Sequence, residues 1–235
     1  MGLDVYVGTL ERYYTGQWET VVQQYGREAG LQVQVVRANQ PGWLARVLAW
    51  FRPKPDAGKA IEAWRSRLSE EAGVPLAWNE SQEAEYFTDK PAWDCYGALL
   101  LWAAYEETGS GNRPATAERW LDDEVLRGAM ENRSSKYRHL LNGTEIWLPG
   151  EIEPFSTESI AGERVVIGST TKLGGELAAL NRATWNASPS EISAWRKEAP
   201  ESGAPLEASA RFGFSIFWEL VDLAIQHRLP MKLDY

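Results

Sequence analysis

Residues 93–105 form the most apolar stretch of this sequence, and their spacing predicts a helix that is hydrophobic on every face. The three sides of that helix are Cys95, Leu99 and Trp102; Tyr96, Leu100 and Ala103; and Ala98, Leu101 and Tyr105. A helix without a polar stripe must be covered by other elements all round. The chain is therefore expected to build its core around this helix.

Hydrophobic periodicity, capping residues and turn residues predict the other elements. Expected strands are Leu3–Val7, Leu31–Arg37, Thr144–Leu148, Arg164–Ile167 and Met231–Tyr235. Expected helices are Trp18–Ala29, Trp43–Phe51, Ala57–Ala72, Ala115–Met130, Thr171–Asn181, Ser190–Lys197 and Leu206–Arg228, with an exposed loop over Asn79–Pro91. This order predicts an α+β fold: a single globular domain over residues 1–235 with a modest mixed sheet, N- and C-terminal strands included, surrounded by helices. It leaves room for a helical insertion over residues 38–130.

The first residues and the cysteine content indicate the compartment. Leu3–Val7 is already an apolar strand, without the basic segment and long apolar run of a signal peptide or a membrane span. A single cysteine excludes an internal disulfide and a thiolate metal cluster. We therefore expect a cytoplasmic protein that does not associate with membranes, and we expect no metal and no cofactor.

The net charge of −9 is concentrated in the middle of the chain. Residues 53–163 carry eleven basic and twenty-one acidic side chains, whereas residues 1–52 carry five and four, and residues 164–235 carry eight of each. An acidic surface repels phosphate backbones, which argues against nucleic acid as a ligand, and it can steer a basic partner toward the protein. The alternative interpretation is a solvated face that keeps the protein soluble.

One cysteine stands where thiol chemistry is favoured. Cys95 lies near the predicted start of the central helix, where unpaired backbone amides lower a thiol pKa. The run from Asp94 to Leu99 resembles the Asp-Cys-Ser-Gly-hydrophobic signature of the NlpC/P60 cell-wall peptidases, with a tyrosine in place of the serine. The resemblance implies a cysteine nucleophile, for which His139 or His227 would be the base. The alternative is a cysteine packed in the core.

Two further groupings have residue types suited to chemistry. The segment 168–175 offers hydroxyls and a lysine where a strand meets a helix, a common place for anions, but it lacks the residue order of a phosphate loop. Helix capping by Ser169 or Thr170 explains the same residues. Glu151 and Glu153 would point to one side of a strand and bind a divalent cation or act as acid and base, with solvated charge as the alternative.

Twelve tryptophans, against two histidines and one cysteine, make the chain rich in packing and binding surface but poor in the usual catalytic side chains. Tryptophan combines a large apolar face with one polar group, so those on loops or short helices are suited to contact a partner. The candidate binding surface comprises Trp43, Trp50, Trp120, Asp122, Asp123 and Glu124.

Four segments carry a family resemblance: Met1–Gly8, Trp93–Trp102, Ile146–Pro149 with Val165–Ser169, and Leu229–Tyr235. They are similar to a group of bacterial proteins of unknown function that begin with MGLD or a related run. The resemblance implies a compact bacterial cytoplasmic protein, and it carries over no activity and no site residue. By analogy only, some small acidic proteins of this style are immunity partners of toxins.

These observations lead to two hypotheses for function. The preferred one is a non-enzymatic protein-binding or immunity-type module that uses the acidic region 53–163 and loop tryptophans against a basic partner. A contiguous acidic patch that contains tryptophan and has no deep cleft would favour it. The alternative is a thiol-dependent hydrolase with Cys95 as nucleophile, which requires an exposed thiol beside an imidazole.

Overall fold

A computed structural model of the protein describes residues 3–31 and 56–235. The helices in these ranges are α1 (Leu10–Thr15), α2 (Val21–Glu28), α3 (Ala57–Ala72), α4 (Trp93–Thr108), α5 (Glu124–Glu131), α6 (Arg138–Leu141), α7 (Thr170–Thr184), α8 (Pro189–Trp195) and α9 (Leu206–His227). The strands are β1 (Asp4–Val7), β2 (Phe87–Asp89), β3 (Ile146–Leu148), β4 (Phe155–Glu158), β5 (Arg164–Ser169) and β6 (Met231–Asp234). The predicted helix Trp43–Phe51, and all but the first residue of the predicted strand Leu31–Arg37, lie outside the described residues.

The strands form one mixed sheet in the order β2-β1-β6-β3-β5-β4. The pair β3 and β5 is parallel, and the other neighbours are antiparallel. Strands from the two ends of the sequence lie side by side, with Val5 opposite Leu233. The predicted fold class, an α+β domain with a mixed sheet that includes both terminal strands, is confirmed.

Hydrophobic side chains cover both faces of the sheet because β3 and β5 are apolar at successive positions. Trp147 joins the larger core, which contains α4, α7 and α9. Its neighbours Ile146 and Leu148 point to the opposite face, where they pack with Ile61 and Trp64 of α3. The sheet therefore lies between two layers of helices.

Among the described elements, α4 and α9 make the most extensive contact. Residues 95–105 of α4 are all buried, as the pattern of the sequence predicts. A Cβ atom at Gly213 of α9 would fall far inside van der Waals contact with the backbone carbonyl oxygen of Cys95. Only glycine allows the two helix backbones to lie this close together.

Two predicted elements differ from the structure, and α1, α6 and β4 were not predicted. The prediction of one continuous helix over Ala115–Met130 is wrong. This range contains a 3-10 turn over Trp120–Asp122, which is followed by the shorter helix α5. Asp123 separates the two because its backbone is extended and its carboxylate caps α5. The loop expected over Asn79–Pro91 contains β2, and β4 was not predicted, because both strands are short edge strands held by backbone pairing with one neighbour.

The range 38–130, for which a helical insertion remains a prediction, supplies β2 to the sheet and α4 to the core. No helix in the described ranges combines the length and the apolar character needed to cross a membrane.

We expect Gly213→Ala to lower the free energy of unfolding by about 2 kcal/mol or more, because the added methyl group must push α4 and α9 apart. Gly175→Ala is the matched control: Gly175 lies in α7, and a Cβ there would meet nothing within 4 Å. The control should raise stability by about 0.5–1 kcal/mol, since alanine restricts the unfolded chain. Urea unfolding of both variants checks this, and equal effects would contradict the close contact.

Candidate protein-binding surface

The 3-10 turn over Trp120–Asp122 is held in place by its tryptophan. The Trp120 ring lies directly over Gly97 of α4, where a Cβ would overlap it, and it stacks on Trp93 with ring centroids 6.3 Å apart. Leu121 points the other way and is 72% exposed. The turn therefore presents a large apolar side chain on a rigid base.

A groove of about 440 Å³ runs beside this turn. Its lining includes Leu101, Pro114, Glu118, Trp120 and Asp122. Glu118, Asp122 and the nearby Glu124 are exposed. The apolar part of the surface is thus flanked by carboxylates.

A second, smaller cavity of about 170 Å³ shares Glu118 with the groove. Asp94 and Glu201 also line it. Arg119 forms an ion pair with Asp122 at 2.9 Å, and among the described residues it is the one basic side chain that lines either cavity. The acidic patch, defined as Asp94, Glu118, Asp122, Glu124 and Glu201, therefore carries excess negative charge.

The structure brings together four of the six residues predicted to form a binding surface. Trp120, Asp122 and Glu124 lie on or beside the groove, whereas Asp123 has a structural role. Its carboxylate accepts the backbone N–H of Leu126 at 2.8 Å and the hydroxyl of Tyr105 at 2.9 Å. The remaining two predicted residues, Trp43 and Trp50, lie outside the described residues.

Sequence reasoning missed Glu118 and Leu121 as members of this surface. Both belong to the range Ala115–Met130, which was predicted to be one continuous charged helix. The extended backbone at Asp123 breaks that helix and turns Leu121 toward solvent. The aspartate cap before Glu124 was the signal in the sequence that could have shown the break.

Cys95 is 5% exposed and, together with Ser209 of α9, lines the smaller cavity of about 170 Å³. Burial raises the pKa of its thiol to about 11, and the charge of Asp94 adds to the shift, whereas a hydrogen bond with Ser209 opposes it. The expected lowering of this pKa at the helix start is therefore outweighed by desolvation.

The structure does not bring either histidine into hydrogen-bonding contact with Cys95. The backbone N–H of Ser169 donates to Nδ1 of His139 at 3.0 Å, and burial, with nearby Arg138 and Lys172, lowers the pKa of this imidazole to about 4. His227 packs against the ring of Phe87, with centroids 5.3 Å apart. Both imidazoles are engaged in local packing.

The hydroxyls and lysine of segment 168–175 are also used within the protein. Ser169 caps α7 by accepting the backbone N–H of Lys172, and its own hydroxyl donates to the carbonyl of Gly150. Lys172 pairs with Glu151 at 2.9 Å, while Glu153 pairs with Arg138. The two glutamates therefore neutralise two separate cations.

In the described ranges no group of three or more His, Cys, Asp or Glu side chains is arranged to hold a metal ion.

Glu176 of α7 is a half-buried carboxyl that sequence reasoning did not single out. It accepts the backbone N–H groups of His139 and Leu140 at 2.9 and 3.0 Å, which fastens α6 to α7. Burial raises the pKa of Glu176 to about 8, although the two N–H donors act in the opposite direction. Its role is to complete the backbone hydrogen bonding of a short helix.

Comparison with known proteins identifies no family for this chain. No protein-family model, no curated protein and no solved structure matches the chain.

We expect Cys95 to react slowly with iodoacetamide in the native protein. A thiol pKa of about 11, as burial gives here, leaves about three hundredfold less thiolate at neutral pH than a free cysteine of pKa ~8.5 has. Timed alkylation across pH, with and without denaturant, measures this. Rapid native labelling with an apparent pKa below ~8.5 would contradict the buried state and favour the hydrolase hypothesis.

We expect Glu176→Gln to change how stability depends on pH. The folded-state pKa of about 8 lies above the ordinary value of 4.5, so the stability that this carboxyl contributes is full below pH 4.5 and is lost as pH rises through 8. A glutamine does not titrate, so the variant should gain stability relative to the natural protein between pH 5 and 8. Urea unfolding at several pH values measures this, with Glu198→Gln on an exposed carboxyl as control. A difference in unfolding free energy between the variant and the natural protein that stays constant with pH would contradict this prediction.

Proposed function

We propose that the protein is a non-enzymatic binding module. Its acidic patch beside Leu121 binds a basic partner protein, in the manner of an immunity-type inhibitor. The observation that supports it most directly is the rigid turn, in which Trp120 is fixed on Gly97 and Leu121 stands 72% exposed among carboxylates. Interfaces commonly combine an apolar anchor with a charged rim that selects the partner.

The chemistry of the patch indicates what the partner presents. Leu121 and the groove beside it suit an apolar side chain, and Glu118 and Glu124 suit lysine or arginine at its edge. Both carboxylates are exposed, and neither forms an ion pair within the described residues. Their charge is therefore available to a partner, and it would speed association at low ionic strength.

The shape of the surface also favours binding over catalysis. The groove is shallow, and the adjoining cavity of about 170 Å³ is smaller than the pockets that usually enclose substrates. A cytoplasmic location belongs to the same proposal, and the single cysteine, which leaves no internal disulfide, supports it.

The charge of the patch is tested with a labelled synthetic peptide that alternates lysine with leucine. The double variant Glu118→Lys with Glu124→Lys should weaken its binding by about tenfold or more at low salt, because two attractive charges become repulsive. Fluorescence anisotropy across salt concentrations measures the dissociation constant. The salt dependence should also become less steep.

Glu83→Lys with Glu85→Lys is the control, because it makes the same change in net charge at two other exposed positions. Equal weakening by both double variants would contradict a local site. Leu121→Ala tests the apolar anchor: we expect a roughly tenfold loss of binding with unchanged thermal stability. The matched control Val74→Ala changes an exposed valine that follows α3 and should leave binding unchanged.

A further inference from the structure

A groove of about 500 Å³ lies at the C-terminal end of α4, apart from the acidic patch. Trp102, Tyr105 and Trp185 provide its aromatic lining, and Arg113 and Ser110 come from the loop after α4. Trp102 and Trp185 stack with centroids 5.4 Å apart and ring planes 11° from parallel. A wall of stacked indoles is suited to the flat apolar face of a small ligand.

Two hydrogen-bond donors of this groove have no acceptor among the described residues of the protein. The Trp102 side chain is 7% exposed, yet its buried Nε1–H has no partner in the described part of the chain. Buried N–H groups are almost always satisfied, so an unpaired one indicates a missing acceptor. Arg113 is exposed, forms no ion pair among residues 3–31 and 56–235, and lies over the Trp102 ring at 4.0 Å from its centroid.

The carboxylates of the groove are already occupied. Glu207 accepts from Arg211 at 2.6 Å and from Nε1 of Trp185 at 3.2 Å. Glu106 pairs with Lys136 at 2.7 Å and accepts the hydroxyl of Tyr137. The positive charge of Arg113 is therefore the charge that remains for a ligand.

We propose that this groove binds a small carboxylate that has a flat apolar face, either a sugar acid or an aryl carboxylate. The carboxylate pairs with the guanidinium of Arg113 and accepts the Nε1–H of Trp102. Arg113 leaves the indole face as it turns to the carboxylate, and the flat face of the ligand takes its place. A charge-assisted hydrogen bond from a guanidinium to a carboxylate is among the stronger polar contacts in proteins.

The test is a titration of ¹⁵N-labelled protein with glucuronate and with phenylacetate, followed by NMR. Glucose and benzyl alcohol are the neutral counterparts. The Nε1–H resonance of Trp102 reports the site directly, and the spectrum of Trp102→Phe identifies it among those of the twelve tryptophans. We expect a saturable shift of this resonance with at least one of the two acids and none with its neutral counterpart.

Arg113→Gln should weaken that binding by about tenfold or more, because the ion pair is lost. Arg133→Gln is the matched control, since Arg133 is also exposed and the change in charge is the same. Both variants should keep the natural thermal stability. A response to one acid alone identifies the source of the ligand. The proposal is overturned if neither acid gives a saturable shift, if a neutral compound binds equally well, or if the two arginine variants behave alike.

Discussion

The contact between α4 and α9 fixes the helix beside which both proposed binding sites lie. Gly213 lets the backbone of α9 lie against the carbonyl of Cys95, and α9, together with α7, packs on one face of the sheet. A buried helix without a polar face has only its ends and its neighbouring loops near solvent. Both proposed binding sites lie there: Trp120 rests on Gly97 near the start of α4, and Trp102 lines the groove near its end.

Several acidic side chains of the protein stabilise the fold by accepting backbone hydrogen bonds. Glu176 accepts two backbone N–H groups of α6, and Glu107 accepts the hydroxyl of Ser135 and the N–H of Lys136. Asp123 caps α5. Carboxylates in such positions replace backbone acceptors that short helices and turns lack.

The tryptophans, like these acidic side chains, mainly stabilise the fold. Trp64 and Trp147 belong to the two cores, and the ten tryptophans in the described ranges are all buried or half-buried. The tryptophans in the described ranges thus serve mainly to pack the core, and a few of them also hold neighbouring residues in position. Trp120 is the clearest case, because its burial against Gly97 is what exposes Leu121. The tryptophan of the 3-10 turn is half-buried, and the exposed apolar side chain is that of its neighbour Leu121.

The sequence by itself determined the fold class, the two terminal strands, the long helices and the burial of α4, because these depend on periodic patterns over many residues. It also indicated that Trp120, Asp122 and Glu124 lie close together, since they are neighbours along the chain, whereas their part in binding stays a prediction. Only the tertiary structure decided the short edge strands, whose stability comes from one neighbouring strand, and the separate surroundings of Cys95 and His139. It alone decided the groove of Trp102, Arg113 and Trp185, because these residues come from three separate segments and an unpaired N–H is a property of packing.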